Sequence, residues 1–153
     1  MDRDERLKVP GVGIGRRNSM GMLREIVGLT GQGSRLFVFS YSVTDGWLRQ
    51  LAKLRQDAGI SHVTLVLDHD VMVRHREKMA MMVYVADEVY LTESHAKLYL
   101  SEGKETTVAL ITSANATNNY RIECYYATDR PGEIEQIKGD IRGILESAVR
   151  IDG

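Results

Sequence analysis

Residues 35–67 read RLFVFSYSVTDGWLRQLAKLRQDAGISHVTLVL and contain the pattern of a strand, a helix and a second strand. Residues 35–43 are apolar, aromatic and β-branched, which is typical of a buried strand. Asp45 can cap a helix that runs through Gln56 and is stopped by Gly59. Residues 62–67 form the second strand. Two strands joined by a helix predict a right-handed crossover between parallel strands.

The segments on both sides of this unit extend the same pattern. Upstream of the unit, residues 18–30 predict a helix. Downstream of it, residues 71–83 are weakly helical. Short strands are predicted at 88–91, 96–100, 107–111 and 122–127. A final helix begins at Pro131, and its apolar stripe continues to Val149. We therefore predict an α/β fold with a mixed β-sheet flanked by helices on both faces.

The length of the chain, 153 residues, suits one domain. Residues 1–17 hold Pro10 and three closely spaced glycines ahead of the first predicted helix, which indicates a flexible N-terminal arm. The remaining residues, 18–153, are expected to form a single domain.

Composition and charge exclude several classes of protein. The chain has 20 Lys and Arg against 21 Asp and Glu, which excludes a uniformly basic nucleic-acid binder but not a local basic patch. Cys124 is the one cysteine, so it can neither form an internal disulfide nor build a thiolate zinc site. No signal peptide or long apolar run is visible, so we expect a cytoplasmic protein that does not enter a membrane.

The most informative stretch is 95–123, HAKLYLSEGKETTVALITSANATNNYRIE. His95 and Lys97 are two residues apart, so on a strand they share a face. Ser113 and Asn115 follow the next predicted strand, and a hairpin would bring both pairs to one edge. A histidine, a cation and neutral donors can hold a phosphodiester and disperse the charge on its oxygens.

Three further residues are candidates for this site. Glu123 begins the next predicted strand, and its carboxylate could bond the far nitrogen of His95 and fix the tautomer. Arg16 and Arg17 could line a track for phosphates, although such charges are about as often simply solvated. No metal-ligand set is evident among these residues.

Residues 95–123 resemble the signature of the phospholipase D superfamily. His95-Ala96-Lys97 matches its H-x-K, and Ser113-Ala114-Asn115 matches its S-x-N. Arg121-Ile122-Glu123 is similar to the segment that carries the histidine-orienting carboxylate. Glu102 stands where the superfamily usually has Asp, and Thr112 stands where a glycine often precedes the serine. With a single H-x-K, the chain resembles the small dimeric bacterial endonucleases of this superfamily.

The resemblance implies a phospholipase D-like fold and a phosphodiesterase that needs no cofactor or divalent metal. It implies a homodimer in which two copies of His95 share one site. One copy forms a phosphohistidine, and the other protonates the leaving oxygen and then activates water. Lys97 and Asn115 of both copies hold the phosphoryl oxygens. Nucleic acid is the expected substrate, because superfamily members with one motif per chain are commonly nucleases.

Two alternative functions remain open. Asp68-His69-Asp70 follows a buried strand and resembles the first motif of haloacid-dehalogenase-type phosphatases, which bind magnesium. Its structural interpretation is that Asp68 and Asp70 terminate the strand and cap the next helix. The second alternative is a non-catalytic module with the same fold that binds nucleic acid or supports assembly.

Overall fold

A computed structural model describes residues 6–151 and contains one mixed sheet with helices on both faces. The strands are β1 (Gly11–Arg17), β2 (Arg35–Ser40), β3 (His62–Asp68), β4 (Glu88–Thr92), β5 (Leu98–Glu102), β6 (Thr107–Thr112), β7 (Arg121–Thr128) and β8 (Val149–Ile151). The helices are α1 (Ser19–Thr30), α2 (Asp45–Ala58), α3 (Asp70–Arg74), α4 (Met79–Val85) and α5 (Pro131–Ser147), with a 3-10 turn at Arg76–Lys78.

The strands are ordered β1-β7-β6-β5-β2-β3-β4-β8 across the sheet. Strands β2, β3 and β4 are parallel, and every other neighbouring pair is antiparallel. The parallel pairing of β2 with β3 confirms the crossover expected from residues 35–67, and the α/β class with a mixed sheet is also confirmed.

Alternating side chains of β2 divide the core between the two faces of the sheet. Leu36 and Val38 belong to the larger cluster, which includes buried side chains of α1, α2 and α4. Phe39 belongs to the smaller cluster, to which α5 contributes Ile134 and Ile141. Both faces of the sheet centre are therefore covered, and a strand buried on both faces reads as a continuous apolar run.

Helices α1 and α2 begin at side-chain caps and are joined by a buried hydrogen bond. Asn18 accepts from the backbone N–H of Gly21 at 2.7 Å. Helix α2 is capped by Thr44 and not by Asp45, which lies inside its first turn. The buried Trp47 indole of α2 donates through Nε1 to Oγ of Ser19 at 2.8 Å.

The N-terminal segment differs from the predicted arm, because Gly11–Arg17 form β1 and pair with β7. Gly13 gives room for an aromatic ring, since a Cβ at this position would lie 2.6 Å from Cε1 of Tyr125. The side chains of Val12 and Ile14 point to the opposite, exposed side. Residues 1–5 of the expected arm and residues 152–153 lie outside the described part of the chain.

Two strand ends and the last helix also differ from the sequence-based expectation. Strand β2 ends at Ser40 because its hydroxyl donates to the carbonyl of Ser42 at 2.6 Å and turns the chain. Strand β5 begins at Leu98, two residues later than expected. The chain leaves α5 at Ser147, and Val149 begins β8 beside β4 instead of extending the helix.

One edge of the sheet gathers the ends that carry the candidate residues. The strand directions place the carboxyl ends of β1, β2, β3, β4 and β6 at this edge, together with the amino ends of β5, β7 and β8. We call it the upper edge, and the opposite one the lower edge. Loops at the carboxyl ends of parallel strands are the usual place for a site in an α/β sheet.

Candidate functional site

His95 and Lys97 lie at the upper edge, in the segment between β4 and β5. They are not on a strand, so the expectation that they share one face of a strand does not apply. The exposed His95 and the half-buried Lys97 are joined instead by a hydrogen bond of 3.1 Å from Nζ of Lys97 to the carbonyl of His95. The N–H of Thr112 donates to the carbonyl of Lys97 at 3.2 Å, which ties this segment to β6.

The carboxylate of Asp68, at the end of β3, anchors the segment that carries His95. Its Oδ2 accepts from the N–H of Ser94 at 2.9 Å, and its Oδ1 accepts from the N–H of Asp70 at 3.0 Å. Burial alone would raise the pKa of Asp68, but these donors and the nearby His69 and His95 bring it below its ordinary value. The carboxylate is therefore charged at neutral pH and holds two loops together.

The ring of Tyr41 contacts the imidazole of His95 edge to face, with centroids 4.9 Å apart and planes at 85°. Tyr41 is the first residue after β2. Its hydroxyl accepts from Nη2 of Arg74 at 2.8 Å and lies 3.4 Å from Oδ2 of Asp70. His95 therefore has an aromatic wall that residues 95–123 do not supply.

Ser113 and Asn115 follow β6 and are held in different ways. Oγ of Ser113 accepts from the N–H of Cys124 at 3.1 Å, so its own hydrogen can still be donated. Oδ1 of Asn115 lies 3.4 Å from Oγ of Ser40, which also accepts from the N–H of Ala116 at 2.9 Å. The upper edge thus gathers His95, Lys97, Ser113 and Asn115, as the expected hairpin implies.

Glu123 lies at the same end of β7, opposite Gly15 of β1, and its charge acts on Tyr99. Burial, and then the charge of Glu123, raise the pKa of Tyr99. The Tyr99 hydroxyl is buried and has no hydrogen-bond partner among the described residues. Within residues 6–151, no hydrogen bond joins Glu123 to His95, so the orienting role of Glu123 stays a prediction.

The two arginines of β1 face opposite sides of the sheet. Arg17 lies 3.5 Å from Glu25, and its guanidinium lies 5.1 Å from the centre of the Tyr125 ring. Arg16 is exposed and pairs in register with Ile122. Arg17 therefore packs within the fold, whereas Arg16 is available to solvent at the upper edge.

The two positions that depart from the superfamily signature have structural roles. Glu102 lies at the lower end of β5 and pairs with Lys138 of α5 at 3.0 Å, far from the upper edge. The Thr112 hydroxyl donates to the carbonyl of Cys124 at 2.8 Å and accepts from the N–H of Ala114 at 3.3 Å. Thr112 therefore fits the loop and braces it against β7.

The alternative metal site also lies at the upper edge. Ligand atoms of Asp68, His69 and Asp70 lie within 4.8 Å of one another. Both Asp68 oxygens already accept backbone hydrogen bonds, and Oδ2 of Asp70 lies 3.7 Å from a nitrogen of Arg74. These contacts agree with the structural interpretation for Asp68, which ends β3, whereas Asp70 is the first residue of α3 and does not cap it among the described residues.

Sequence reasoning missed Tyr41, and it considered Asp68 for a metal site or for the end of the strand but not as the anchor of the His95 segment. A signal for both exists, because Tyr41 follows β2 and Asp68 ends β3, at the edge of the sheet where sites form. The contact between Tyr41 and His95 joins segments that are far apart in the chain, so it depends on the order of the strands.

This architecture is a phospholipase D-like α/β fold. No family model matches the sequence, and no curated protein matches it. Among solved structures, Nuc from Salmonella typhimurium, a phospholipase D family member, superimposes with a TM-score of 0.64 at 14% identity. The superposition covers 94% of this chain and 99% of Nuc.

Two larger proteins contain a similar fold. Polyphosphate kinase from Porphyromonas gingivalis gives a TM-score of 0.61 at 16% identity over 92% of this chain and 24% of the kinase. TrmBL2, an archaeal chromatin protein that binds DNA, gives 0.58 at 14% identity over 99% of this chain and 56% of TrmBL2. In the described part of this chain, no helix is long and apolar enough to span a bilayer.

Proposed function

We propose that this chain is a metal-independent phosphodiesterase of the phospholipase D type, acting as a nuclease with His95 as its nucleophile. The observation that carries the proposal is the gathering of His95, Lys97, Ser113 and Asn115 at one edge of a phospholipase D-like sheet. Together they offer a nucleophile, a cation and neutral donors, which suit attack on phosphorus and stabilisation of its oxygens.

The proposed reaction has two steps. A ring nitrogen of His95 attacks phosphorus, so that a nitrogen–phosphorus bond forms and the bond to the leaving oxygen breaks. The His95 of a second copy gives its proton to that oxygen. The same second histidine then takes a proton from water, which attacks the phosphohistidine and releases the first His95.

Each neutral or cationic side chain has a distinct task in this scheme. The ammonium of Lys97 balances charge on a non-bridging oxygen, and the amide of Asn115 donates to the other. The Ser113 hydroxyl retains a hydrogen to donate after accepting from Cys124. One chain carries a single H-x-K, so the second histidine requires a homodimer with a two-fold axis near the upper edge.

Nucleic acid is the substrate class that we propose. Arg16 and Arg121 are exposed at the upper ends of β1 and β7, and within residues 6–151 neither has an acidic partner. They can contact phosphates on either side of the reacting diester. The DNA binding named for TrmBL2 supports the same class of partner.

Hydrolysis in EDTA tests the chemistry. Wild type is expected to cleave bis(p-nitrophenyl) phosphate and plasmid DNA, and His95→Ala is expected to lose about a thousandfold or more in rate. His75→Ala is the matched control, because His75 is half-exposed beyond α3 and lies 3.7 Å from Glu77. Cleavage that requires magnesium and survives His95→Ala would refute the proposal and favour Asp68 and Asp70.

Subunit mixing tests the shared site separately. Wild type at fixed concentration is mixed with an equal amount of His95→Ala and allowed to exchange subunits. Activity is expected to fall to about half, because half of the wild-type chains then pair with an inactive copy. Unchanged activity would show that each chain works alone and would refute the shared site.

The alternative function is a non-catalytic module that binds nucleic acid or supports assembly, and exposed Arg16 and Arg121 also suit it. Such a module would bind an oligonucleotide equally well with or without His95. Its affinity would fall with salt, and each arginine removed would make that dependence shallower. Binding without cleavage by a folded dimer would establish this alternative.

A further inference from the structure

We infer that Tyr41 positions the imidazole of His95 and is itself held in place by Arg74 and Asp70. The inference rests on the proposed function, because it gives the nucleophile of that reaction its orientation. It adds an aromatic ring in contact with His95 to the orienting carboxylate expected at Glu123. Tyr41 acts through His95 and is a positioning residue.

The first step of the argument is the ring contact. Tyr41 and His95 meet at 85° with centroids 4.9 Å apart, which is a favourable edge-to-face arrangement. His95 is exposed and lies outside any strand, so the sheet alone does not fix its side chain. The Tyr41 ring occupies one side of the imidazole and excludes the rotamers that would turn toward it.

The second step is that the Tyr41 ring is anchored at its far end. Its hydroxyl accepts from Nη2 of Arg74 at 2.8 Å and donates to Oδ2 of Asp70 across 3.4 Å. Arg74 and Asp70 also pair with each other at 3.7 Å. The guanidinium lies 6.0 Å from the centre of the Tyr41 ring. Three side chains thus form a closed triangle that holds the ring against His95.

The third step concerns the backbone beneath the imidazole. Asp68 holds the N–H of Ser94, directly before His95, at 2.9 Å. The backbone N–H of Asp70 donates to the same carboxylate. One turn after β3 therefore anchors both the backbone of the His95 segment and the triangle that holds Tyr41. A histidine fixed at its backbone and at its ring is oriented for attack in a single direction.

The test compares Tyr41→Phe, which keeps the ring, with Tyr41→Leu, which removes it. Tyr84→Leu is the matched control, because Tyr84 of α4 is exposed. For the chromogenic diester, Tyr41→Leu is expected to lower kcat by about 10- to 100-fold with little change in KM. Tyr41→Phe is expected to recover most of that loss. A folded Tyr41→Leu protein with wild-type kcat would overturn the inference.

A second readout does not depend on activity. The ring of Tyr41 shifts the carbon-bound protons of the His95 imidazole, which are assigned in NMR spectra by their absence in His95→Ala. That shift is expected to persist in Tyr41→Phe and to vanish in Tyr41→Leu. Identical imidazole shifts in all three proteins would overturn the inference even if the enzyme is active. An inactive wild type whose shifts change as expected would refute the proposed function alone.

Discussion

Replacing Asp68 by Asn tests the anchor beneath His95. Asn has nearly the same shape, but one of its two terminal atoms is an NH2 group, which would face the N–H of Asp70 or Ser94. One charge-assisted hydrogen bond is lost and one part-buried N–H is left unpaired, while the cost of burying a charge is removed. The free energy of unfolding is expected to fall by about 2 kcal/mol.

Urea denaturation and thermal melting at pH 7 measure this loss. For a chain of this size, about 2 kcal/mol corresponds to a decrease of roughly 4–8 °C in Tm. Asp57→Asn is the control, because Asp57 is exposed on α2 and pairs only with Lys53 among the described residues. Its expected effect is below about 0.5 kcal/mol. Equal stability of Asp68→Asn and wild type would refute the anchoring role of Asp68.

The pH dependence of the same difference gives an independent check. The pKa of Asp68 is below its ordinary value of 3.8 in the folded chain, so the charged form is favoured by folding. Its contribution to stability is therefore present above that value and is lost as pH falls through the lower, folded pKa. The gap between wild type and Asp68→Asn should be full at pH 7 and close below pH 3.8. A gap that is independent of pH would contradict this account.

Three further measurements test the packing of β1, β7 and α2. Gly13→Ala is expected to cost about 1–3 kcal/mol, because its Cβ would meet the Tyr125 ring, whereas Gly15→Ala has open space. Equal thermal stability of the two variants would contradict that contact. In the folded protein, the exposed Cys124 thiol should react with a disulfide reagent at a rate within about tenfold of the rate for the chain unfolded in urea. A much slower reaction would contradict its exposure. Trp47→Phe loses a buried 2.8 Å hydrogen bond, so its free energy of unfolding, measured in urea, is expected to fall by about 1–3 kcal/mol. Unchanged stability would contradict this expectation.

Those parts of the fold that follow from local pattern could be predicted from the sequence. Residues 35–67 carry their strand–helix–strand pattern in their own apolar spacing, and α5 carries a stripe of isoleucines. The gathering of His95 with Ser113 could also be predicted, because the β5–β6 hairpin joins them within a short stretch of chain.

The remaining parts depend on contacts between distant residues. Gly11–Arg17 look like a flexible arm because their glycines favour no structure alone, and only pairing with β7 makes them a strand. Helix periodicity extends to Val149, but the chain leaves α5 at Ser147, and Val149 pairs with β4. Tyr41 reaches His95 only because β2 and β5 are neighbours, and no local pattern shows that neighbours so distant in sequence will pair.

The two outermost strands, β1 and β8, set where the described chain enters and leaves the sheet. Strand β1 runs toward the upper edge, so its first residue, Gly11, lies at the lower edge. Strand β8 is antiparallel to β4 and runs away from the upper edge, so its last residue, Ile151, also lies at the lower edge. These two positions belong to opposite ends of the strand order. A fluorophore or a surface tether attached at either one would leave the approach to His95 open, and a pair of labels would report the full width of the sheet.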